Sequence, residues 1–253
     1  MNKKFLALTT AALLSFSAVL TGCGGSKSDS KVLTMATNAQ FPPYEYYEGD
    51  KIVGIDAEIA EAIADKLGMT LKIEDVEFDS VLTGVQSGKY DIGLAGITVT
   101  PERQQSMDFS DTYATGIQSI IVPEGSEITS VDDLMADGAA YKVGVQLSTT
   151  GDIYATDDFG ADRVQEFQSG ADAVAALTAG KIDCVIIDNQ PAKSYVAANE
   201  GLTILDSAYT EEEYALCTAK GNDELLTKIN DAIAELKEDG TIQSILDKYI
   251  VAD

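Results

Sequence analysis

Two separated segments of this 253-residue chain follow the same pattern, and this repetition restricts the folds open to it. Residues 81–95 and 173–187 each contain an apolar helical stripe, a glycine, the sequence Lys-x-Asp and then an apolar run typical of a strand. Glycine is preferred just after a helix because it adopts a positive φ without steric cost. The repetition predicts two similar α/β units, and the alternative is a chance likeness between two ordinary segments.

The residue that follows the strand differs between the two copies. Five residues after the aspartate comes Gly96 in the first copy and Asp188 in the second. Both positions fall at the carboxyl end of a predicted strand, which is the edge of an open α/β sheet where ligands bind. We therefore expect each unit to supply one wall of a shared cleft.

The rest of the chain alternates predicted strands and helices with short connections, which is typical of mostly parallel sheets. Asp56 is predicted to cap a helix whose apolar residues recur every four positions up to Leu67. Residues 91–96 are predicted to form a short buried strand. A long helix near the C-terminus is expected to begin at Asn222 or Asp223.

Arginine is rare here, with two arginines against fifteen lysines, so the position of Arg103 is informative. Thr100 is predicted to cap a helix with Pro101 at its first position, which places Arg103 in the first turn. The unpaired N–H groups there favour an anion, and a guanidinium binds a carboxylate through two parallel hydrogen bonds. The alternative is a surface ion pair between Arg103 and Asp108 or Asp111.

The composition excludes several functions. A formal net charge of −25 argues against binding to nucleic acid, or to anionic lipid through a basic patch. Because the chain contains no histidine, it forms neither a Ser-His-Asp or Cys-His catalytic arrangement nor a histidine metal site. The sequence has no glycine-rich phosphate loop, and we expect no cofactor and no metal.

Residues 1–22 have the character of an export signal. Two lysines precede an apolar stretch over residues 5–20 that is short for a membrane-spanning helix. Leu-Thr-Gly-Cys follows, ends at Cys23 and resembles a bacterial lipoprotein processing box, in which the cysteine becomes the lipidated first residue. Residues 23–30 are then a flexible tether, and the alternative is an uncleaved anchor helix. Removal of the signal leaves 231 residues, enough for two modest lobes.

Several segments in a fixed order resemble the amino-acid-binding proteins of bacterial ABC importers, solute-binding protein family 3 of the polar amino acid type. The resemblance extends over nearly all of residues 32–250. It rests on Ala-Thr-Asn-Ala-Gln-Phe-Pro-Pro-Tyr-Glu at residues 36–45, Gly-Ile-Asp at 54–56, Gly-Ile-Thr-Val-Thr-Pro-Glu-Arg at 96–103 and Asp-Phe-Ser-Asp at 108–111. It implies a two-lobed α/β fold, periplasmic-binding-protein-like and of type II, with a two-crossing hinge and the ligand cleft between the lobes.

The resemblance also implies where the lobes begin and end. The first lobe is expected to consist of residues 31–112 and 215–253, and the second lobe of residues 113–214. The chain is expected to cross between them near residues 113–117 and again near residues 212–216. Two parallel crossings form a hinge.

The two cysteines beyond the signal, Cys184 and Cys217, lie in apolar runs that favour strands. The implied division puts them in different lobes, where a disulfide would obstruct the hinge. We therefore favour buried free thiols over a disulfide, although an exported protein is able to form one.

A free amino acid is a zwitterion, so its cleft needs separate subsites for an anion and a cation. By resemblance, Arg103 would bind the α-carboxylate together with the backbone N–H of Thr98. The Thr98 hydroxyl and the Gly96 carbonyl would accept from the α-ammonium, with Asp188 as its counter-charge. Ile97 belongs to the same predicted binding segment. Taken alone, Asp188 is equally a helix N-cap.

The second lobe is expected to contribute the start of a helix, and two aromatic rings are expected to flank the ligand. Thr149 and Thr150 open a helix whose N–H groups reach the carboxylate, and an ordinary helix cap is the alternative. Ser148 stands where the family commonly has glycine, a departure that bears on the conformation of this loop. Phe41 and Phe78 would enclose the aliphatic stem of the ligand, and core packing is their alternative role.

Asn38 sets our expectation for the side chain of the ligand. It stands where relatives that bind basic amino acids often carry aspartate, and a neutral amide favours glutamine or a cystine-like ligand. Glu45 either adds negative charge to this region or has a structural role, so a basic amino acid stays open as the ligand.

The sequence thus predicts an extracytoplasmic lipoprotein, anchored to the cell membrane by Cys23 and monomeric. It would bind a polar L-amino acid reversibly and deliver it to ABC permease subunits that work with a cytoplasmic ATPase. We expect no enzymatic activity. The rival interpretation is a dehydratase of the same fold, of the cyclohexadienyl or arogenate type, and it needs a general acid that the sequence does not identify. A sensor ectodomain would need a separate signalling partner.

Overall fold

The computed structural model describes residues 31–206 and 208–250. The predicted export signal, the tether and Cys23 lie outside the described residues. Inside them, no helix has both the length and the apolar character that a membrane crossing requires.

The described residues form helices and strands that alternate along most of the chain. In chain order these are β1 (Val32–Thr37), β2 (Gln40–Phe41), β3 (Glu45–Glu48), β4 (Lys51–Val53), α1 (Ile55–Lys66), β5 (Thr70–Asp75), α2 (Phe78–Gln86), β6 (Ile92–Gly93), α3 (Arg103–Ser106), β7 (Met107–Phe109), β8 (Ala114–Pro123), α4 (Val131–Met135), β9 (Val143–Gln146), α5 (Thr150–Phe159), β10 (Val164–Phe167), α6 (Gly170–Thr178), β11 (Cys184–Asp188), α7 (Asn189–Ala198), β12 (Leu202–Ile204), β13 (Thr210–Tyr214), β14 (Cys217–Ala219), α8 (Asp223–Glu238) and α9 (Thr241–Tyr249).

The first lobe is built on a five-stranded sheet in the order β5-β1-β6-β14-β7. Strand β1 runs parallel to β5 and β6, whereas β14 runs antiparallel to β6 and β7. Ile59 and Ile63 of α1 are buried in the core together with Ile229 and Ile233 of α8. A small antiparallel sheet, β2-β3-β4, lies between β1 and α1 in the chain and carries part of the cleft.

The second lobe is built on another sheet, in the order β10-β9-β11-β8-β12, with β13 paired to β8. Strand β9 is parallel to β10 and β11, and β8 is antiparallel to β11. Because β9 and β11 are parallel neighbours, their carboxyl ends at Gln146 and Asp188 lie at the same edge of the sheet. This is the edge at which open α/β sheets bind ligands.

The chain passes between the two sheets twice. It leaves the first sheet after Phe109 and enters the second at Ala114, and it returns between Tyr214 and Cys217. Next to both crossings β8 and β13 pair antiparallel, and the backbone N–H of Tyr113 donates to the Tyr214 carbonyl at 2.9 Å. The two crossings therefore lie side by side, while the limits of the lobes stay a prediction.

The predicted cap at Asp56 is wrong. Helix α1 begins at Ile55 after Gly54, and Asp56 is buried inside its first turn, where Oδ2 accepts from the Gly96 N–H at 2.9 Å. Glycine is required at position 54 because its φ is 125° and a Cβ there would lie 2.2 Å from the Tyr44 carbonyl oxygen. The carboxylate thus fixes the Gly96 loop rather than the start of the helix.

The strand predicted for residues 91–96 is shorter than expected, since β6 comprises Ile92–Gly93 alone. The chain turns away at Gly96, where φ is 54°. The Asp91 carboxylate binds the neighbouring strand β1, accepting from the N–H of Thr34 at 2.8 Å and from its hydroxyl at 2.6 Å. The short strand β6, held to β1 by the hydrogen bonds of Asp91, thus precedes the loop that leads to the cleft.

Cys184 and Cys217 are free and fully buried, as expected. Cys184 lies in β11 of the second sheet and Cys217 in β14 of the first sheet. Burial raises the pKa of each thiol to about 12. Both side chains therefore act as small apolar core residues.

Candidate functional site

A small, partly enclosed cavity of about 20 Å³ lies between the two lobes. It is far smaller than ordinary small-molecule pockets, so a ligand as large as a free amino acid would need the lobes to move apart to enter it. Nine of the ten residues predicted to bind ligand line it, and their roles as ligand contacts stay predictions. The nine are Asn38, Phe41, Phe78, Gly96, Thr98, Arg103, Thr149, Thr150 and Asp188.

Ile97 is the predicted site residue that does not line the cavity. Its side chain is fully buried in an apolar cluster with Val81, Val85 and Met107. Its carbonyl accepts from the Ala215 N–H at 3.1 Å, next to the return crossing. The Ile97 side chain thus packs in the core beneath the binding loop, and its part in ligand binding stays a prediction.

Arg103 is 6% exposed and is held from both lobes. Nη1 donates to the Thr98 carbonyl at 2.9 Å, and Nη2 donates to the Ser148 carbonyl of the second lobe at 3.0 Å. The guanidinium also lies over the Phe78 ring, 5.5 Å from its centroid. Burial lowers its pKa. The guanidinium carries further N–H donors, so it is oriented and still able to bind an anion in the cavity.

The helix at Arg103 begins two residues later than predicted, but the predicted bond to the Thr100 hydroxyl is present. Helix α3 begins at Arg103 itself, and Thr100 Oγ1 accepts from the Arg103 N–H at 3.1 Å. Asp108 pairs with Lys220 at 2.6 Å, and within the described residues Arg103 forms no ion pair with Asp108 or Asp111. The surface ion-pair alternative is therefore wrong.

Asp188 ends β11 and is 8% exposed. It precedes α7 at the N-cap position, but its side chain makes no capping bond. Instead Oδ2 accepts from Gln118 Nε2 at 2.9 Å, and Oδ1 accepts from the Tyr214 hydroxyl. Burial raises the pKa of Asp188 well above its usual range, the Glu212 carboxylate raises it further, and the Gln118 bond opposes this. The helix-cap alternative is wrong for its side chain.

Glu45 also lines the cavity, on the side of the first lobe. It is fully buried, and neither carboxyl oxygen accepts a hydrogen bond from a described donor. Burial raises its pKa well above its usual range, and the neighbouring Asp56 raises it further, through its charge and through a hydrogen bond between the two carboxyl groups. Burial also raises the pKa of Asp56, to about 6, against the hydrogen bonds that it shares with the Gly96 N–H, Tyr113 and Glu45. Glu45 is thus a buried carboxyl that faces the cavity and has a second buried carboxyl as its neighbour.

Asn38 has both ends of its amide engaged by protein. Nδ2 donates to the Val76 carbonyl at 2.9 Å, and Oδ1 accepts from Gln146 Nε2 at 2.9 Å. Gln146 ends β9 and also donates to the Gln168 carbonyl at 3.2 Å. Two amides thus join the lobes at one wall of the cavity.

The hydroxyl groups of the threonines that line the cavity form hydrogen bonds with neighbouring side chains and backbone groups. Thr98 Oγ1 donates to Glu212 Oε2 at 3.1 Å and lies 3.5 Å from Thr150 Oγ1. Thr149 caps α5, since its Oγ1 accepts from the Asp152 N–H at 3.3 Å. The ordinary cap is therefore the observed role of the Thr149 hydroxyl, and α5 begins at Thr150 as predicted.

The Ser148 loop forms despite the absence of glycine. Ser148 has φ 65°, the left-handed region that favours glycine. Its N–H donates to Asp152 Oδ2 at 2.9 Å, and its carbonyl accepts from Arg103. The departure from the family pattern therefore leaves the glycine-like conformation in place, with a serine in a strained backbone region.

Phe41 and Phe78 line the cavity and are also packed in the core, so core packing is observed for both and contact with a ligand stays a prediction. Phe41 lies tight against the binding loop, because a Cβ at Gly96 would be 2.8 Å from its ring. Glycine is needed at position 96 for this contact and for its φ of 54°. The loop and the ring therefore fix each other.

Sequence reasoning missed some residues in and behind the cavity. Ala95 and Gln146 line it, and Gln118 and Tyr214 hold Asp188 from behind. Gln146 ends β9, so the strand-end rule that selected Asp188 would also have selected it. Gln118 and Tyr214 carry no such signal, because their contacts depend on the pairing of β8 with β13.

Comparisons with known proteins identify the family and support the fold. A family model described as bacterial extracellular solute-binding proteins, family 3, matches residues 33–252. The arginine-binding extracellular protein ArtP of Bacillus subtilis (strain 168) is 33% identical over 260 residues, a match that covers 99% of each chain. The solved structure of an ancestral arginine-binding protein bound to arginine is 38% identical, with a TM-score of 0.80. The solved structure of an ancestral arginine-binding protein bound to glutamine is 37% identical, with a TM-score of 0.82. Each of these two matches covers 87% of this chain and 98% of the other.

Proposed function

Since the chain belongs to the bacterial extracellular solute-binding proteins of family 3, we propose that it is the receptor of an ABC importer for a basic L-amino acid of the arginine type. It is a binding protein and not an enzyme, as its relatives are named for the amino acids they bind. The dehydratase interpretation is therefore set aside. The amino acid that it binds and its delivery to a permease are the proposed parts.

The charged groups in the cavity suit the common part of every amino acid. Arg103 offers N–H donors to the α-carboxylate, and Asp188 offers a carboxylate to the α-ammonium. They lie in different lobes, so a ligand that contacts both stabilises the arrangement in which the lobes meet. We propose that the lobes, divided as the sequence predicts, open and close about the crossings at residues 110–113 and 215–216.

Glu45 carries the proposal of a basic side chain. After Arg103 and Asp188 are assigned to the zwitterion, Glu45 is a further carboxyl that lines the cavity and has no partner among the described donors. A buried carboxylate needs a counter-charge or a proton. A guanidinium supplies both a positive charge and a pair of donors with the right spacing.

The sequence argument for an uncharged ligand rests on Asn38, and its contacts weaken that argument. The Asn38 amide is hydrogen-bonded to Val76 and Gln146. It therefore stabilises the wall of the cavity and does not select between charged and uncharged side chains of the ligand. The relatives add support, since one is named for binding arginine and one solved neighbour has arginine bound.

L-Glutamine is the second candidate. The raised pKa of Glu45 keeps this carboxyl protonated over a wider pH range, and a protonated carboxyl both donates to and accepts from an amide. One solved neighbour, an arginine-binding protein, has glutamine bound, which shows that such a site admits both ligands in that protein.

The location of the receptor is the second part of the proposal. The family is extracellular, and we propose that the protein is held at the outer face of the membrane by a lipid on Cys23. Incorporation of a radiolabelled fatty acid by cells tests this point. Label in the wild-type protein and none in Cys23→Ala supports the anchor, and label in neither contradicts it.

Thermal unfolding of the purified protein with each standard L-amino acid tests the proposed ligand. A ligand at about a hundred times its dissociation constant adds about 2.7 kcal/mol to the free energy of unfolding, which raises Tm by several degrees at this size. We expect L-arginine to give the largest rise. A larger rise with an uncharged amino acid would overturn the basic ligand, and no rise with any amino acid would overturn the receptor.

A further inference from the structure

Gln118 lies behind Asp188, in β8, and does not line the cavity. It is 1% exposed, and its Nε2 lies 2.9 Å from Asp188 Oδ2 and 3.0 Å from Glu212 Oε2. Asp188 belongs to β11 and Glu212 to β13. One side-chain amide therefore joins two buried carboxylates that come from two different strands.

The two carboxylates fix the orientation of this amide. A carboxylate only accepts hydrogen bonds, so the NH₂ end of Gln118 must face both. Its Oε1 is buried and accepts no hydrogen bond from a described donor, and it lies 3.0 Å from the place that a Cβ on Gly151 would occupy. Leaving a buried oxygen unpaired costs free energy, so the two bonds to carboxylates must outweigh that cost.

We propose that Gln118 is a positioning residue for the subsite that receives the α-ammonium, an inference that rests on the proposed function. Its amide favours the ionised form of Asp188, against the effects of burial and of Glu212, and directs the carboxylate towards the cavity. The Tyr214 hydroxyl bonds to the second carboxyl oxygen of Asp188, and Arg103, Glu45 and Tyr44 interact with it electrostatically from farther away. Without the amide, two like charges would approach each other in a dry site, and Asp188 would take up a proton.

The role predicted for Gln118 concerns the α-amino group alone, so the test compares a ligand with and without that group. We would measure the affinities of L-arginine and 5-guanidinopentanoate, its analogue without the amino group, for wild-type protein and Gln118→Met by titration calorimetry. The affinity for L-arginine should fall about tenfold or more, while the affinity for the analogue changes by less than about twofold. L-Glutamine and 4-carbamoylbutanoate form the equivalent pair.

Gln165→Met is the matched control, because Gln165 is exposed on β10 and the exchange is the same. Gln118→Glu is the second variant, since it keeps the shape of the side chain and donates only when protonated. In it the affinity for L-arginine, relative to that of the wild type at the same pH, should recover as the pH falls. In the wild type, protonation of Asp188 and Glu45 only weakens binding at low pH.

Failure of the proposed function and failure of the inference about Gln118 give different results. If the wild-type protein binds neither L-arginine nor L-glutamine, the proposed function is overturned, and this inference with it. If the wild type binds and Gln118→Met weakens both members of a pair equally, with the pH trend of Gln118→Glu unchanged from wild type, the residue is merely structural and the inference alone is overturned.

Discussion

Glu45 and Asp188 are buried carboxyl groups that line the same cavity from different lobes, and their surroundings differ. Asp188 accepts from Gln118 and from Tyr214, and it ends a strand of a large sheet. Glu45 lies in the short strand β3, and its oxygens accept from no described donor. Burial raises the pKa of both.

At Asp188 the protein itself supplies the hydrogen bonds to the carboxylate. At Glu45 the ligand would have to supply the counter-charge or the donors. A carboxylate that already accepts two hydrogen bonds has part of its desolvation cost offset before the ligand arrives. A buried carboxyl whose neighbour is another carboxyl favours its protonated form, and an approaching cation favours the ionised form. We infer that Asp188 serves the ammonium common to all amino acids and that Glu45 responds to the side chain.

Removal of the prepared carboxylate has the largest expected effect. Asp188→Asn should lower the affinity for every amino acid by at least about a hundredfold, because the α-ammonium would enter a buried site with no counter-charge. Titration calorimetry with L-arginine and L-glutamine measures this, and thermal unfolding checks that the variant folds. Asp162→Asn, at an exposed position, is the control. A loss for only one of the two ligands would contradict a common subsite.

The pH dependence of binding separates the two carboxyl groups with a smaller effect. A group with a raised pKa must lose a proton to receive a cation, so affinity should fall as pH falls. L-Arginine needs both Glu45 and Asp188 ionised, whereas L-glutamine needs only Asp188. Between about pH 7.5 and about pH 5.5 the affinity for L-arginine should therefore fall more steeply, by up to about tenfold per pH unit for the additional group. Equal slopes for the two ligands would remove Glu45 from the side-chain subsite.

The smallest expected effect concerns the backbone of the second lobe rather than its carboxylate. Ser148→Gly should raise the free energy of unfolding by about 0.5 kcal/mol, because glycine adopts a φ of 65° without strain and offsets its own entropic cost. Thermal unfolding should show a Tm higher by about 1–2 °C. Ser148→Ala keeps the Cβ and should bring no gain. Stabilisation by both variants would show that the serine hydroxyl, and not the backbone, is the source of the cost.

Much of the fold was predictable, because hydrophobic periodicity and glycine positions define its elements. The repeated pattern of helix, glycine, Lys-x-Asp and strand led to the two strand ends at the cleft. The errors arose where a side chain bonds to a distant segment. Asp56 has the sequence character of a helix cap, yet its partner is the Gly96 N–H, 40 residues later in the chain. Local propensity carries no information about such a partner.

The candidate site was predicted in part for the same reason. Residues at strand ends and in the family segments, such as Arg103 and Asp188, were found because their positions follow from local pattern. The chemical environment of Glu45 was not predicted, since it depends on burial and on Asp56, which lies in a different element. Gln118 was missed because two strands far apart in the chain bring its partners together.

The most direct test of the central claim is the ratio of the dissociation constants for L-arginine and L-glutamine, measured by calorimetry at neutral pH on wild-type protein and on Glu45→Gln. Glu48→Gln, an exposed exchange in the same strand, is the control. We predict that the wild type prefers L-arginine and that Glu45→Gln loses about tenfold to a hundredfold in affinity for L-arginine alone. If the ratio of the two dissociation constants in Glu45→Gln equals that of the wild type, the claim that the Glu45 carboxyl selects a cationic side chain is contradicted.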